Sequence, residues 1–167
     1  MAEFDGVLFS DLHLSEATPR LNELFDAFVD RVEGTPEVAC LGDLLDYWIG
    51  RKHLRRPFGK HVHEQMARLA KAARRAIWVS GNRDFLYRPE AKRAGYVAPR
   101  NRYFGEFAGA PAVLEHGDLL CTKDRAYQWF RRAMRLMPLR TIGPFISEKR
   151  SHTICQHARS KSMAETA

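Results

Sequence analysis

Four short stretches carry residues that could hold a metal ion. They are Asp11-Leu12-His13 in LFSDLHLSE, Gly42-Asp43 in LGDLLD, Asn82-Arg83-Asp84 in SGNRDF and His116-Gly117-Asp118 in EHGDLL. Asp, Asn and His offer hard-to-borderline donors. That mixture suits Mn²⁺, Fe²⁺ or Zn²⁺ better than the all-oxygen shell of Ca²⁺. On a strand, Asp11 and His13 would share a face, because side chains two apart do so. Asp-x-His alone permits a metal site, a catalytic pair or a polar turn leaving a sheet. A lone Asp or His at a strand end is usually a turn former or a capped polar group. Four such ends in one chain argue for a common site.

The elements around these residues give them a common address. Residues 7–9, 37–41 and 76–80 are short apolar runs that read as strands. Between the first two, Leu21, Leu24, Phe25, Phe28, Val29 and Val32 form a helical stripe over 19–33. Thr18 is placed to cap that helix, Pro19 suits its first position and Gly34 ends it. A second helix is predicted over about 57–75, with Phe58, Val62, Met66, Leu69 and Ala73 on one face. RYFGEF and PAVLEH read as a hairpin around a small-residue turn at 108–111. A helix starts near 124, with Tyr127, Phe130, Met134 and Met137 in register, and the polar tail from 145 is expected to be helical. Strand–helix–strand–helix–strand is the order of an α/β fold with a largely parallel first sheet. Such folds carry their sites at the carboxyl ends of the strands, where all four motifs fall. Three of the four motifs carry a glycine beside the donor, which allows a sharp turn there.

Composition narrows the class. The chain has 167 residues, 45% hydrophobic and 28% charged, which fits one globular domain. There is no run of 18 apolar residues, so no membrane span is expected. MAEFDGVLF lacks the basic and apolar regions of a signal peptide. Cys40, Cys121 and Cys155 are an odd, scattered set, as in a reducing cytoplasm. Cys40 and Cys121 read as inert. The net charge of +7 is concentrated in RKHLRRPFGKH and FRRAMRLMPLR. Such a surface suits nucleic acid, anionic membrane or a phosphorylated substrate.

The pattern D-x-H, GD, GN-x-D, H-G resembles that of the calcineurin-like metallophosphoesterases. GDLLDYWIG, SGNRDFL and EHGDLLCTKDRAYQWFR are similar to the branch of that family that acts on UDP-2,3-diacylglucosamine in the lipid A pathway of Gram-negative bacteria. The likeness runs from about residue 7 to the end. It implies an α/β metallophosphoesterase sandwich, with a core over 1–123 and a helical cap or lipid-facing arm over 124–167. It implies two divalent ions, by preference Mn²⁺. Asp11 and His13 would bind the first ion, Asp43 would bridge, and Asn82 and His116 would bind the second. Asn82, Arg83, Asp124, Ser160 and Lys161 would contact substrate. The implied reaction is attack of hydroxide, generated at the metals, on the α-phosphorus, releasing UMP and lipid X. The enzyme would sit in the cytoplasm, peripherally on the inner membrane.

Arg83 bears on the reaction type. Many relatives have His after the Asn, placed to protonate an alcohol leaving group. Arginine is effectively never deprotonated and is a poor general acid, but it clamps phosphate well. A phosphate leaving group needs no proton, so GNRD fits pyrophosphate cleavage better than ester cleavage. Nucleic acid is accordingly not an expected substrate, although a diesterase of the same superfamily is the alternative. A plainer reading is that Arg83 only pairs with Asp84 or Asp118. FRRAMRLMPLRTIGPFI interleaves Arg with Met, Leu and Phe, which suits an anionic membrane interface or an ordinary packed amphipathic helix. Tyr47 and Trp48 could stack on a base or pack in the core.

One departure from the family pattern stands out. The family's C-terminal Gly-His-x-His does not occur in these 167 residues. His152 and His157 lack its spacing, and His61-Val62-His63 lies in a basic helix where solvent exposure is expected. The chain therefore reads as C-terminally incomplete. Each metal would lack one ligand, activity would be weak or absent, and a sheet face and edge would stay uncovered.

Overall fold

The computed structural model describes residues 4–48, 50–120, 122–123 and 125–136. Cys121, Asp124, His152, Cys155, His157, Ser160 and Lys161 lie outside them, as does the helix expected beyond 145.

Strands β1 (Gly6–Phe9), β2 (Glu37–Cys40) and β3 (Arg75–Trp78) form a parallel sheet in that order. Phe9, Cys40 and Trp78 are level across it, so the three strands end together. Helices α1 (Pro19–Val32) and α2 (Pro57–Ala72) are the crossovers. A hairpin, β4 (Arg102–Phe107) and β5 (Ala110–Glu115), covers the opposite face. The period-two alternation of strand side chains decides who faces what. Val7, Phe9, Val38, Cys40, Ala76 and Trp78 pack in the core on the helix side. Ala39, Ile77 and Val79 pack with Phe107 and Leu114 of the hairpin. The hairpin does not reach all of β1, and Leu8 stays 49% exposed.

Glu37 latches the two sheets. Its carboxylate is buried at the start of β2. It accepts the Ala108 amide of the hairpin turn at 2.8 Å and pairs with Arg74 at 2.7 Å. Burial works against its charge, but the amide and the arginines Arg75 and Arg74 outweigh that and hold the carboxyl below its usual range. The turn puts Ala108 and Gly109 both at positive φ, 51° and 79°. That backbone suits the twist of a two-residue hairpin, and the Glu37 bond helps hold an alanine there.

Several local expectations need correction. Thr18 does not cap α1: its hydroxyl turns back to donate to the Ser15 carbonyl at 3.1 Å. Leu24 is 57% exposed and leaves the buried stripe to Phe25, Val29 and Val32. Helix α2 stops at Ala72, because Arg75 is already paired in β3. Trp48 is buried and packs edge-on against Tyr87 and His53, so it is core, while Tyr47 lies against His53. His63 is half-buried rather than solvent-exposed, bonding the Tyr87 hydroxyl at 2.8 Å, and His61 bonds Asp26 at 2.8 Å. A short helix not expected from the sequence, α3 (Arg88–Arg93), leads to Val97, which bridges Ile77 in parallel.

Helix α4 (Arg125–Leu136) begins where a helix was expected. The side chains of Tyr127, Phe130 and Met134, and the whole of Met137, lie outside the described residues. Its anchor is Arg131, buried, with Nε at 2.5 Å from Asp118 and Nη2 at 3.1 Å from Asn101. Among the described residues, no helix is long and apolar enough to cross a membrane.

Candidate metal centre

Beyond Phe9 and Cys40 the first two strands stay paired although their geometry stops being regular. The amides of Asp11, His13 and Leu14 donate to the carbonyls of Gly42, Asp43 and Leu44 at 3.1, 3.0 and 2.8 Å. Pairing survives because Asp11, His13 and Asp43 take left-handed backbone, with φ of 57°, 51° and 52°. Asp and His visit that region several times more readily than most residues, and such outliers cluster at functional sites. The consequence is convergence. One potential ligand atom each from Asp11, His13 and Asp43 lie within 4.8 Å of one another.

The third strand exit closes on the second. A Cβ on Gly42 would overlap the Gly81 backbone, and one on Gly81 would overlap the Asp43 carboxylate. Both glycines are therefore required by close approach. Asp84 ties the exits together from beneath. It is fully buried, accepting the Leu44 amide at 2.9 Å and the Gly81 amide at 3.2 Å. Burial first, and then the Asp43 charge, push its carboxyl up to about 7.

His116 enters from the end of β5. Its Nδ1 lies 2.8 Å from the Leu41 carbonyl and donates to it. That orients the ring and turns Nε2 toward the cluster, 3.7 Å from Asp43 Oδ2. His13 complements it. Its Nδ1 is buried and has no hydrogen-bond partner. Burial, and then the Arg83 charge, lower its pKa, which favours a neutral imidazole. Two imidazoles and two carboxylates at the strand ends form a donor set that fits divalent metal ions. Asn82 is exposed between Gly81 and Arg83, both of which abut Asp43.

Arg83 is held at the rim. Its amide donates to Asp43 Oδ1 at 3.0 Å, its Nη1 donates to Asp46 at 2.7 Å, and its Nε stands 3.7 Å from Asp43 Oδ2. Asp84 is turned to backbone amides and Asp118 to Arg131, so neither is the principal partner of the guanidinium. Motif reading gave no role to Asp46, and it named Asp84 without assigning it the backbone contacts it makes here. The signal for both was the density of acids beside the expected ligands, in GDLLD and GNRD.

Residues 7–158 match the family model of the calcineurin-like phosphoesterases. The chain belongs to this family. It is similar to the UDP-2,3-diacylglucosamine hydrolase of Ralstonia nicotianae, at 41% identity over 129 residues, 75% of this chain and 48% of that protein. The protein of the same name from Shewanella loihica is 35% identical over 154 residues, covering 91% of this chain and 63% of the relative. A third such hydrolase, from Pseudomonas fluorescens, is 31% identical over 171 residues, covering 96% and 65%. The chain thus spans about half to two thirds of the length of these relatives. Membership in the family implies divalent metals, and the strand-end cluster is the candidate place for them.

Outside the cluster, an open groove of about 930 Å³ runs between β4 and α4. Arg100, Arg102, Arg125, Arg132, Phe104 and Trp129 line it. Phe104 and Trp129 are 70% and 73% exposed. Arg102 pairs with Glu115.

Proposed function

We propose that this phosphoesterase hydrolyses the pyrophosphate of UDP-2,3-diacylglucosamine, giving UMP and lipid X. The observation that carries the reading is an imidazole–carboxylate cluster with Arg83 at its rim, a group suited to clamp phosphate, where an ester hydrolase needs a proton donor. The hydrolase names of the relatives support it. Asp11, His13, Asp43 and His116, with Asn82 at the rim, would hold two divalent ions, Mn²⁺ by preference. Such ions activate water and neutralise phosphoryl charge when bound. Asp43 has Asp11 and His13 on one side and His116 Nε2 3.7 Å away, which supports a role for it toward both ions. His116 is oriented by Leu41, which keeps its Nε2 available. Arg83 would bind the departing phosphate, which leaves without protonation. Asp124, Ser160 and Lys161 are proposed contacts to the sugar and acyl chains, on a cap extending from 124.

A substrate with two acyl chains lies in a bilayer. The Arg-lined groove with exposed Phe104 and Trp129 supports docking to an anionic membrane, and the proposed location is peripheral, on the cytoplasmic face. Assay with Mn²⁺ should release UMP and lipid X in equal amounts and cleave a generic aryl phosphodiester far more slowly. Asp43→Asn should lower UMP release by about a thousandfold, as expected when a group central to metal catalysis is lost. Cleavage of the diester alone would overturn the substrate assignment.

A further inference from the structure

We propose that Asp46 is the positioning residue for phosphate recognition: it holds Arg83 by Nη1, so that the opposite edge of the guanidinium faces the metal cluster. The proposal rests on the reading of the site as a phosphoryl-transfer centre.

Asp46 is fixed by backbone before its side chain does anything. Its amide donates to the Leu14 carbonyl at 3.0 Å, beside the Leu14–Leu45 bridge that prolongs the paired strand exits. It thus belongs to the same rigid frame as Asp43, three residues earlier. Arg83 is pinned from both ends of its own peptide. Its amide is on Asp43 Oδ1, and its carbonyl accepts the amide of buried Trp48 at 3.3 Å. What this leaves undetermined is the direction of a long, rotamer-rich side chain, and Asp46 determines it.

The geometry of the guanidinium then limits what it can present. The group is planar, with Nη1 on one corner and the Nε–H and Nη2–H protons sharing the far edge. Asp46 Oδ1 takes Nη1 at 2.7 Å, while Nε stands 3.7 Å from Asp43 Oδ2. The Nε/Nη2 edge is therefore the one turned to the cluster. That edge donates two parallel hydrogen bonds, the match for two oxygens of one phosphoryl group. Asp46 also gives Arg83 a contact partner other than Asp43. Without it, the nearest carboxylate to the guanidinium would be the central ligand of the cluster.

The test is a double-mutant cycle on inorganic phosphate binding, measured by calorimetry on the full chain at saturating Mn²⁺. Asp46→Ala should weaken phosphate binding about tenfold, on the scale of one charge-assisted contact. Asp46→Asn retains an acceptor oxygen and should cost less than about threefold. Arg83→Ala should weaken binding more than Asp46→Ala, and adding Asp46→Ala to it should cost nothing further. An additive double variant, or unchanged affinity in Asp46→Ala, would overturn the proposal. Thermal midpoints report folding, and if Asp46→Ala does not fold, Asp46→Ser in both Arg83 backgrounds decides on the same criterion. The readout is independent of the organic substrate. Coupling between Asp46 and Arg83 without UMP release would sink the substrate assignment and leave this inference standing.

Discussion

A single imidazole can make the stability of this protein depend on pH. His63 bonds Tyr87, which packs on Trp48 and Trp78 beneath the site. Its pKa is lowered, by burial first. Glu90 and Glu64 act in the opposite direction, and Arg51 and Arg93 reinforce the drop. The unfolded chain therefore binds a proton here more readily than the folded one. Stability associated with His63 is present above about pH 6.5 and is lost as pH falls through the unfolded and then the folded pKa. Asp84, whose carboxyl is raised to about 7, acts in the opposite direction over the same interval, so the comparison is between variants. In urea titrations of metal-free protein at pH 7.5 and 5.5, His63→Gln should be less penalised by the lower pH than the parent protein is, and an identical pH response in the two would remove His63 as a source of the dependence.

The elements matter chiefly through how closely their ends approach. Gly81 lies against the Asp43 carboxylate with no room for a methyl group. Gly81→Ala should displace Asp43 and weaken Mn²⁺ binding by at least about tenfold, the scale of losing support for a metal ligand. Calorimetric titration with Mn²⁺ checks this, and unchanged affinity would mean that the strand exits can part at no cost. Much of this architecture was legible in the sequence. Short apolar runs, two periodic helices and a glycine at three of the four motifs placed Asp11, His13, Asp43 and His116 at one end of a parallel sheet. What escaped was of a different physical kind. Asp46 acts through a guanidinium, and Asp84 in part through the Leu44 amide, and both partners are distant in sequence. The Thr18 hydroxyl is taken by the Ser15 carbonyl, a local competition that residue type leaves open. Trp48 could have walled a pocket, and its burial follows from Tyr87 and His53, which no periodicity connects to it.

At the scale of the whole molecule, charge and apolar exposure coincide on one side. Four arginines line the groove that carries exposed Phe104 and Trp129. Aromatic rings flanked by cations favour the headgroup region of an anionic bilayer, with each cation contributing about 1 kcal/mol. Trp129→Asp should cut binding to phosphatidylglycerol-containing vesicles by about tenfold or more, measured by sedimentation, while leaving Mn²⁺ affinity unchanged. Undiminished vesicle binding would remove this face from consideration.

The left-handed backbone at Asp11, His13 and Asp43 bears on how variation at this centre can be interpreted. At most enzyme sites an alanine scan separates chemistry from architecture, because alanine accepts the local backbone. Here it would not. Alanine at these positions deletes a donor atom and also occupies a conformation disfavoured for it, at about 1 kcal/mol or more each. Asparagine tolerates that conformation and keeps the size of aspartate. Selection for a foldable chain and selection for catalysis thus act on the same codons, and a survey scored only for folding would already favour Asp, Asn and His at all three.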